Sequence, residues 1–269
     1  MSDLNTAFAN LPPTPRMPAL FIGHGNPMNA IEDNAYSRSW HEVGENLPVP
    51  AAILCVSAHW MTSGTTLVHV GQQPATIHDF GGFPPELFAQ QYPAPGAPEL
   101  AQATIDLVRS SHLEADTEWG LDHGAWSVLI RMFPKANIPV FQLSLDLRKS
   151  ARAHFELAQE LKVLRERGVL IIGSGNLVHN LRALRPGAAP YDWAQIFDAH
   201  VAKSLEQRDF LSVTDALSLG RVAQLANPTP EHFLPSLYSI GVADPKDDLS
   251  FFNTSFDMAS LSMRSFILS

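Results

Sequence analysis

Histidines are the residues in this sequence whose type and placement best suggest chemistry. Of the 11 histidines, His24 follows the apolar run ALFIG, His59 follows AAILCVSA, His179 lies shortly after VLIIGSG, and His232 stands in NPTPEHFLP at an apparent helix start. Ligands of open α/β sheets bind beyond the carboxyl ends of the strands, and neutral imidazole is a ligand for zinc or iron. A single histidine near a strand end is more often structural, but four in similar settings favour a metal site.

The other histidines divide into two possible site residues and five structural ones. His123 in GLDHGAW is a fifth site candidate, and the adjacent Asp122 either orients an imidazole or caps a helix that begins near Gly124. His78 in HDFGG either lines the mouth of a pocket or is an ordinary loop histidine. We assign structural roles to the rest, which are His41, His69, His112, His154 and His200.

Motifs for other chemistries are incomplete. The segments GHG (23–25) and GSG (173–175) begin like a dinucleotide fingerprint, but Met28 and Val178 occupy the place of the third glycine. Ser174 lacks the GxSxG spacing of a nucleophile elbow. Neither a GxxxxGK phosphate loop nor a HExxH zinc-protease helix occurs.

Strands and helices that would position these histidines alternate along the chain. Apolar, β-branched runs predict strands at Ala19 to Ile22, Ala51 to Ser57, Thr65 to Val70, Pro139 to Leu145 and Val169 to Ile172. Helical periodicity predicts helices at Pro98 to Ser111, Gly124 to Met132, Ser150 to Arg167, Trp193 to Glu206 and Pro230 to Ile240. This alternation predicts an α/β fold with a central, mostly parallel or mixed sheet covered by helices on both faces.

The chain is interpreted as one domain, residues 18–269, preceded by a flexible tail at residues 1–17. The Pro/Gly-rich stretch from His78 to Pro98 resembles a linker. However, its aromatic residues carry too much apolar area for a solvated tether, so we expect an ordered loop packed on the body.

Composition favours small-molecule chemistry. The net charge of −9, without a basic run, argues against nucleic acid or an anionic membrane as a partner. The longest apolar runs are much shorter than the roughly 20 residues that span a bilayer. The single cysteine, Cys55, lies in an apolar run, which excludes disulfide frameworks and thiolate clusters and makes the cytoplasm the expected location.

Several motifs, in order, resemble those of the DOPA-4,5-dioxygenase-like extradiol dioxygenases, the class III or LigB-type superfamily. They include GHGNPMNAIEDN, VSAHW, HDFGGFPPELF, GLDHGAWSVL, GVLIIGSGNLVHNLRAL and NPTPEHFLP, and the resemblance runs from about Pro18 to Phe266. It implies one α/β domain and one divalent metal per chain, Fe(II) in catalysis with Zn(II) in the isolated protein. It also implies a substituted, DOPA-like catechol and O₂ as substrates, and a ring-opened semialdehyde as product.

The resemblance also implies roles for individual residues. His24 and His59 match two metal ligands of the family, and His232 matches the third ligand, although the neighbouring Glu231 is an alternative because the wider superfamily uses a carboxylate there. His179 matches the catalytic acid/base and is also able to act as a fourth metal ligand.

Three further residues are expected at the substrate. His123 matches a pocket position that touches substrate or oxygen and is a second catalytic candidate, and His78 and Asp79 of HDFGG are expected to bind substrate. Two alternatives remain open: a zinc-dependent hydrolase that uses the same histidines, and a non-enzymatic metal-binding protein. The sequence carries no prediction of oligomeric state.

Overall fold

The structure, a computed structural model, describes residues 14–269. Its strands are β1 Ala19–Gly23, β2 Ala52–Ser57, β3 Met61–Thr62, β4 Thr66–His69, β5 Leu113–Asp116, β6 Val140–Gln142, β7 Leu145–Asp146, β8 Val169–Gly175, β9 Leu249–Phe252, β10 Phe256–Asp257, β11 Leu261–Ser262 and β12 Ser265–Leu268. Its α-helices are α1 Ala35–Asn46, α2 Pro85–Phe88, α3 Pro98–Leu107, α4 His123–Met132, α5 Ala151–Glu160, α6 Lys162–Arg165, α7 Asp192–Glu206, α8 Phe210–Thr214, α9 Arg221–Ala226 and α10 Leu234–Gly241.

Six strands form the central sheet in the order β6-β2-β8-β1-β12-β9. The first four of these run parallel, whereas β12 is antiparallel to both β1 and β9. Every residue of β1, β2 and β8 is buried, as expected for parallel strands that are covered on both faces. The predicted α/β fold with a mostly parallel, mixed sheet is confirmed.

Alternate residues of the sheet pack into two separate cores. Phe21 belongs to the core beneath α5, α7 and α10, which includes Phe155, Phe197 and Leu237. Leu20, its neighbour, belongs to the other core, which includes Trp40 of α1 and Trp126 of α4. Since side chains alternate across a strand, each apolar strand supplies both cores.

Some predicted elements differ from the observed ones. The predicted helix over residues 150–167 is two helices, α5 and α6, with Leu161 at the junction. The strand predicted at residues 139–145 is divided between β6 and β7. The strand predicted at residues 65–70 exists as β4 but pairs with β5, outside the central sheet. Helix α3 ends at Leu107, before the predicted end at Ser111, and β5 begins at Leu113.

The amino-terminal segment is anchored where the structure describes it. Residues 1–13 of the predicted tail lie outside the described residues. Met17 is fully buried, and its N–H donates to the carbonyl of Arg165 at 2.9 Å. Arg16 pairs with Asp247 at 2.6 Å. Within residues 14–269, no helix is both long and apolar enough to cross a bilayer.

Candidate metal centre

Three neighbouring strands and one turn bring the site histidines together. The strands β1, β2 and β8 are adjacent in the sheet, and His24, His59 and His179 follow their carboxyl ends. His232 lies in the turn before α10, where its carbonyl accepts a hydrogen bond from Asn176 N at 2.8 Å. A Cβ on Gly175 would collide with that carbonyl, so the glycine is needed for this turn to sit against β8.

The tautomer of His24 is fixed by Ser174. The Ser174 hydroxyl donates its one hydrogen to the Gly124 carbonyl at 2.5 Å, and its oxygen lies 3.0 Å from His24 Nδ1. The hydrogen between His24 and Ser174 must therefore come from His24 Nδ1. Consequently Nε2 of His24 carries a lone pair.

The charge of Asp79 favours one tautomer of His59. Oδ2 of Asp79 lies 3.3 Å from His59 Nδ1 and 3.0 Å from His123 Nδ1. Burial raises the pKa of Asp79, but the hydrogen bond and charge of His123 and the charge of His59 outweigh this effect and hold it at about 2. Asp79 is therefore ionised, and its charge beside His59 Nδ1 favours the tautomer with the hydrogen on that nitrogen, which leaves Nε2 of His59 with a lone pair.

The two lone pairs face each other. Nε2 of His24 and Nε2 of His59 lie 3.2 Å apart. Two lone pairs repel at this distance unless a cation lies between them. Tetrahedral zinc with Zn–N bonds of about 2.0–2.1 Å places two ligand nitrogens about 3.3 Å apart. The residues therefore fit a bound divalent metal, both in spacing and in the direction of their donor atoms.

His232 lies beside the pair formed by His24 and His59. Its ring centroid lies 5.4 Å from that of His24 and 5.1 Å from that of His59. Its Nδ1 donates to Oε1 of Glu231 at 3.2 Å, and Thr229 donates to the same oxygen at 2.8 Å. Glu231 is thus occupied in orienting His232, which favours His232 over Glu231 as the metal ligand.

His179 lies next to His232. Its ring stacks on that of His232 with centroids 3.4 Å apart and planes 4° apart. The backbone N–H of His179 donates to the Ala226 carbonyl, which fixes the backbone at that position. One ring nitrogen of His179 lies within 4.8 Å of a donor atom of both His232 and Glu231, so it is close enough to serve either a metal or a substrate.

His123 is the first residue of α4, and its ring lies beside that of His59. Their ring centroids are 3.8 Å apart, and one ring nitrogen from each, together with one of His24, lies within a span of 4.8 Å. Asp79 Oδ1 accepts from His123 N at 2.8 Å. Asp122 accepts from Ala125 N as the helix cap and from the Ser57 hydroxyl. Of the two roles considered for Asp122, the structure supports the cap.

Burial keeps the histidines neutral. Burial, followed by the charges of neighbouring histidines, lowers the pKa of His24 and of His232 well below its usual value. The same causes, in that order, lower the pKa of His59 to about 3 and that of His179 to about 4, against an opposing effect of nearby carboxylates. Neutral imidazoles are the form that binds metals, so protons do not compete near neutral pH.

The histidines open into a cavity of about 450 Å³, a size typical of small-molecule sites. The predicted site residues His24, His59, His123, His179, His232 and Asp79 all line it. His78 does not, because its Nε2 contacts the Gln90 carbonyl at 3.0 Å and its ring packs against Trp126. The structure therefore separates the two residues that were expected to bind substrate.

Comparisons with known proteins decide the family. Residues 18–261 match the model of the catalytic LigB subunit of aromatic ring-opening dioxygenase. The chain belongs to this family. The resemblance inferred from the sequence motifs is confirmed, and the chain is an enzyme of the ring-cleaving dioxygenase class.

Individual relatives of this LigB-family enzyme agree. It is 46% identical over 259 residues, 93% of this chain and 94% of the relative, to the Escherichia coli (strain K12) protein named 4,5-DOPA dioxygenase extradiol. It is 39% identical, over 91% of this chain and 94% of the relative, to the Beta vulgaris protein of the same name. A solved structure of an uncharacterized Escherichia coli K12 protein, JW3007, superposes with a TM-score of 0.81 at 42% identity, covering 94% of this chain and all of that one.

Sequence reasoning missed the orienting residues of the LigB-family site. Ser174 was considered only as a nucleophile, and Asp79 only as a substrate contact. The sequence held one indication that Ser174 belongs to the site, because this residue lies near the end of the strand that leads to His179. The contact between His59 and Asp79 depends on how the loop folds, for which the sequence holds no comparable signal.

Proposed function

We propose that the chain is a metal-dependent extradiol dioxygenase that opens a substituted, DOPA-like catechol with O₂ to a ring-opened semialdehyde. One observation carries the proposal: Nε2 of His24 and Nε2 of His59 face each other at 3.2 Å on the wall of a cavity, in a chain of the ring-opening family. The names of the relatives support a DOPA-like substrate.

The metal would be held by His24, His59 and His232, with Fe(II) as the catalytic ion and Zn(II) as the ion retained on isolation. Three neutral imidazoles suit either ion. When bound, a divalent metal acidifies the hydroxyls of a chelating catechol and brings the ring and O₂ to adjacent positions. Ser174, Asp79 and Glu231 would keep the three ligands oriented by holding their Nδ1 hydrogens.

His179 is the residue best placed to move protons. Among residues 14–269, no side chain forms a hydrogen bond with its ring nitrogens, and it lines the cavity. Neutral His179 would accept a proton from a catechol hydroxyl. The resulting imidazolium would then return that proton to a substrate oxygen as the ring opens. The stacked ring of His232 limits its rotation.

His123 would contact substrate or oxygen from the other side of the site. Its backbone is fixed by Asp79 and its ring lies against Phe80, with centroids 5.5 Å apart. Asp79 acts by orienting His59 and His123 rather than by binding substrate directly. A cytoplasmic location stays a prediction, supported by the single, buried Cys55.

Oxygen consumption tests the proposal. Protein reconstituted anaerobically with Fe(II) should take up one O₂ for each catechol opened and give a yellow product, and elemental analysis should find one metal per chain. Simple phenols should be inert, since they lack the second oxygen needed for chelation. Hydrolysis of a catechol ester without oxygen uptake would favour a zinc hydrolase, and saturable metal binding with neither activity would favour a metal-binding protein.

A further inference from the structure

A short turn of 3₁₀-helix, Leu181–Ala183, follows His179 and forms part of the cavity wall. Leu181 lines the cavity, and so does Leu184, the residue that ends the turn. A 3₁₀-helix has about three residues per turn, so residues three apart in sequence lie on the same face. The face that carries the two leucines therefore faces the cavity. Arg182, one residue after Leu181, lies at the edge of that face, which we call the rim.

The backbone at the rim is held on both sides of Arg182. The side-chain oxygen of the buried Asn180 accepts from Arg182 N at 3.1 Å, and its amide donates to the Leu225 carbonyl at 2.7 Å. Further along, Arg185 N donates to the carbonyl of Met258, a residue that itself lines the cavity, at 2.9 Å. Because the rim is ordered before a ligand arrives, binding there loses less conformational entropy.

The side chain of Arg182 is exposed and has no partner. Within residues 14–269 it forms no hydrogen bond, ion pair or ring contact. Arg185, by contrast, places its guanidinium over the ring of Tyr191 at 5.8 Å. An arginine stays charged at neutral pH, and its planar fork binds a carboxylate through two parallel hydrogen bonds. A free arginine at the rim of a ligand cavity is therefore suited to bind an anionic group carried by the ligand.

The interior of the cavity is unfavourable for such a group. Among the described residues, no lysine or arginine side chain lines the cavity, and the carboxylates of Asp79 and Glu231 lie beside the histidines. A buried carboxylate would lose its water there without gaining a cation. The net charge of −9 adds a general repulsion of anions. A substrate that carries a carboxylate must therefore place it at the rim, beside Arg182.

We propose that Arg182 recognises the carboxylate at the end of the substrate's side chain. This inference rests on the proposed function, because the side chain reaches the rim only when the catechol oxygens face the histidines. Leu181 and Leu184 then cover the carbons between the ring and the carboxylate. Arg182 determines specificity and takes no part in ring opening. The enzyme accordingly prefers catechols whose short side chain ends in a carboxylate, as that of a DOPA-like substrate does, to their uncharged analogues.

Anaerobic calorimetry on the Zn(II)-loaded protein measures this preference without turnover. The two ligands are 3-(3,4-dihydroxyphenyl)propionate and its primary amide, which have nearly the same shape and differ in charge. At low salt we expect the carboxylate to bind about fivefold more tightly, the upper range for an exposed ion pair. Added salt should reduce the preference by screening it. Equal binding, tighter binding of the amide, or binding of neither ligand would overturn the inference.

Substitutions at Arg182 test the assignment to this residue, and its exposure allows them without disturbing the core. Arg182→Gln should abolish the preference by weakening the carboxylate alone, Arg182→Lys should keep part of it, and Arg182→Glu should reverse it. Arg148→Gln is the matched control. Arg148 is also exposed, and no residue between His123 and His179 lines the cavity, so the ratio of affinities should stay as in the wild type. A preference that survives in Arg182→Gln, or that is lost equally in Arg148→Gln, would contradict the assignment.

Oxygen uptake by the Fe(II)-loaded protein with the same two ligands separates this inference from the proposed function. Uptake with equal KM for the carboxylate and the amide refutes the role of Arg182 and leaves the dioxygenase. A carboxylate preference that disappears in Arg182→Gln, without oxygen uptake by either ligand, refutes the dioxygenase and supports the role of Arg182 in recognition.

Discussion

Asp79→Asn is the substitution whose effect follows most closely from the structure. The ionised carboxylate accepts from His123 N at 2.8 Å, and its other oxygen lies 3.3 Å from His59 Nδ1 and 3.0 Å from His123 Nδ1. The asparagine oxygen is able to keep the bond to His123 N, which leaves its NH₂ group facing the Nδ1 hydrogen of His59. The asparagine NH₂ group and the Nδ1–H group of His59 are then two donors that face each other without an acceptor. The contact is relieved if the proton of His59 moves to Nε2, the nitrogen that faces His24.

That proton shift removes the lone pair that a metal needs. Loss of an outer partner of a metal-bound histidine typically weakens metal affinity by about 10- to 100-fold, which corresponds to roughly 1.4–2.7 kcal/mol. We expect an effect in this range for Asp79→Asn, because one of three proposed ligands loses its favoured tautomer while the other two keep theirs. Turnover should fall with metal occupancy and should recover in part when metal is added in excess.

The assay is competition for Zn(II) between the protein and a chromophoric chelator at neutral pH. Circular dichroism checks that the variant is folded. Asp33→Asn is the matched control, since Asp33 pairs with Arg38 at 2.7 Å on the surface and both side chains are largely exposed. The control should bind Zn(II) like the wild type. If folded Asp79→Asn also binds Zn(II) within about twofold of the wild type, a difference of only ~0.4 kcal/mol, Asp79 does not set the tautomer of His59.

Four other substitutions test separate parts of the structure. His179→Ala should keep its metal and lose about 10²- to 10⁴-fold in turnover, whereas His24→Ala should lose metal and turnover together; a metal-free His179→Ala protein would make His179 chiefly a ligand. Burial lowers the pKa of His154 to about 4, below the 6.5 of an unfolded chain, so its neutral folded form should cost stability as pH falls from about 6.5 to about 4, by up to ~1.4 kcal/mol per pH unit. Urea titrations of metal-free protein should therefore show a shallower pH dependence for His154→Gln, and an identical slope would contradict this. Arg165→Leu should lower the free energy of unfolding by about 3–5 kcal/mol, because the buried Asp247 carboxylate keeps only Arg16 as a charged partner and the carbonyls of Met17, Val242 and Leu268 lose the guanidinium that donates to them; an unchanged urea midpoint would refute that estimate.

The central strands were predictable because burial on both faces leaves a clear pattern. The runs at β1, β2 and β8 are continuously apolar and end in glycine or serine. The C-terminal strands β9 and β12 are four residues each and contain serine, so their sequences lack that pattern. β12 joins the sheet by pairing with β1 and β9 by pairing with β12, and the contact with β1 is a long-range one that local sequence does not encode.

Helix α1 was also missed, although Asn34 and Ser37 form a capping box at its start. Its core face is the stripe of Tyr36, Trp40 and Val43, in which only Trp40 is fully buried. The helix is held by its cap and by this stripe.

The site residues were predictable to the extent that strand ends position them. His24 and His59 follow strands whose neighbours in the sheet are set by the parallel pairing of β1, β8 and β2. The orientation of loop residues was not predictable. His78 and Asp79 are adjacent, yet Asp79 lines the cavity and His78 contacts Gln90. That choice is made by the packing of the aromatic loop against the body.

Isotopically labelled dioxygen tests the central claim most directly. Fe(II)-loaded protein is supplied with a substituted catechol under labelled O₂, and the ring-opened product is trapped and analysed by mass spectrometry. We predict that both labelled oxygen atoms enter the product and that the broken bond lies beside the two hydroxyl-bearing carbons, not between them. Product without label, or cleavage between the hydroxyl-bearing carbons, would contradict the extradiol assignment.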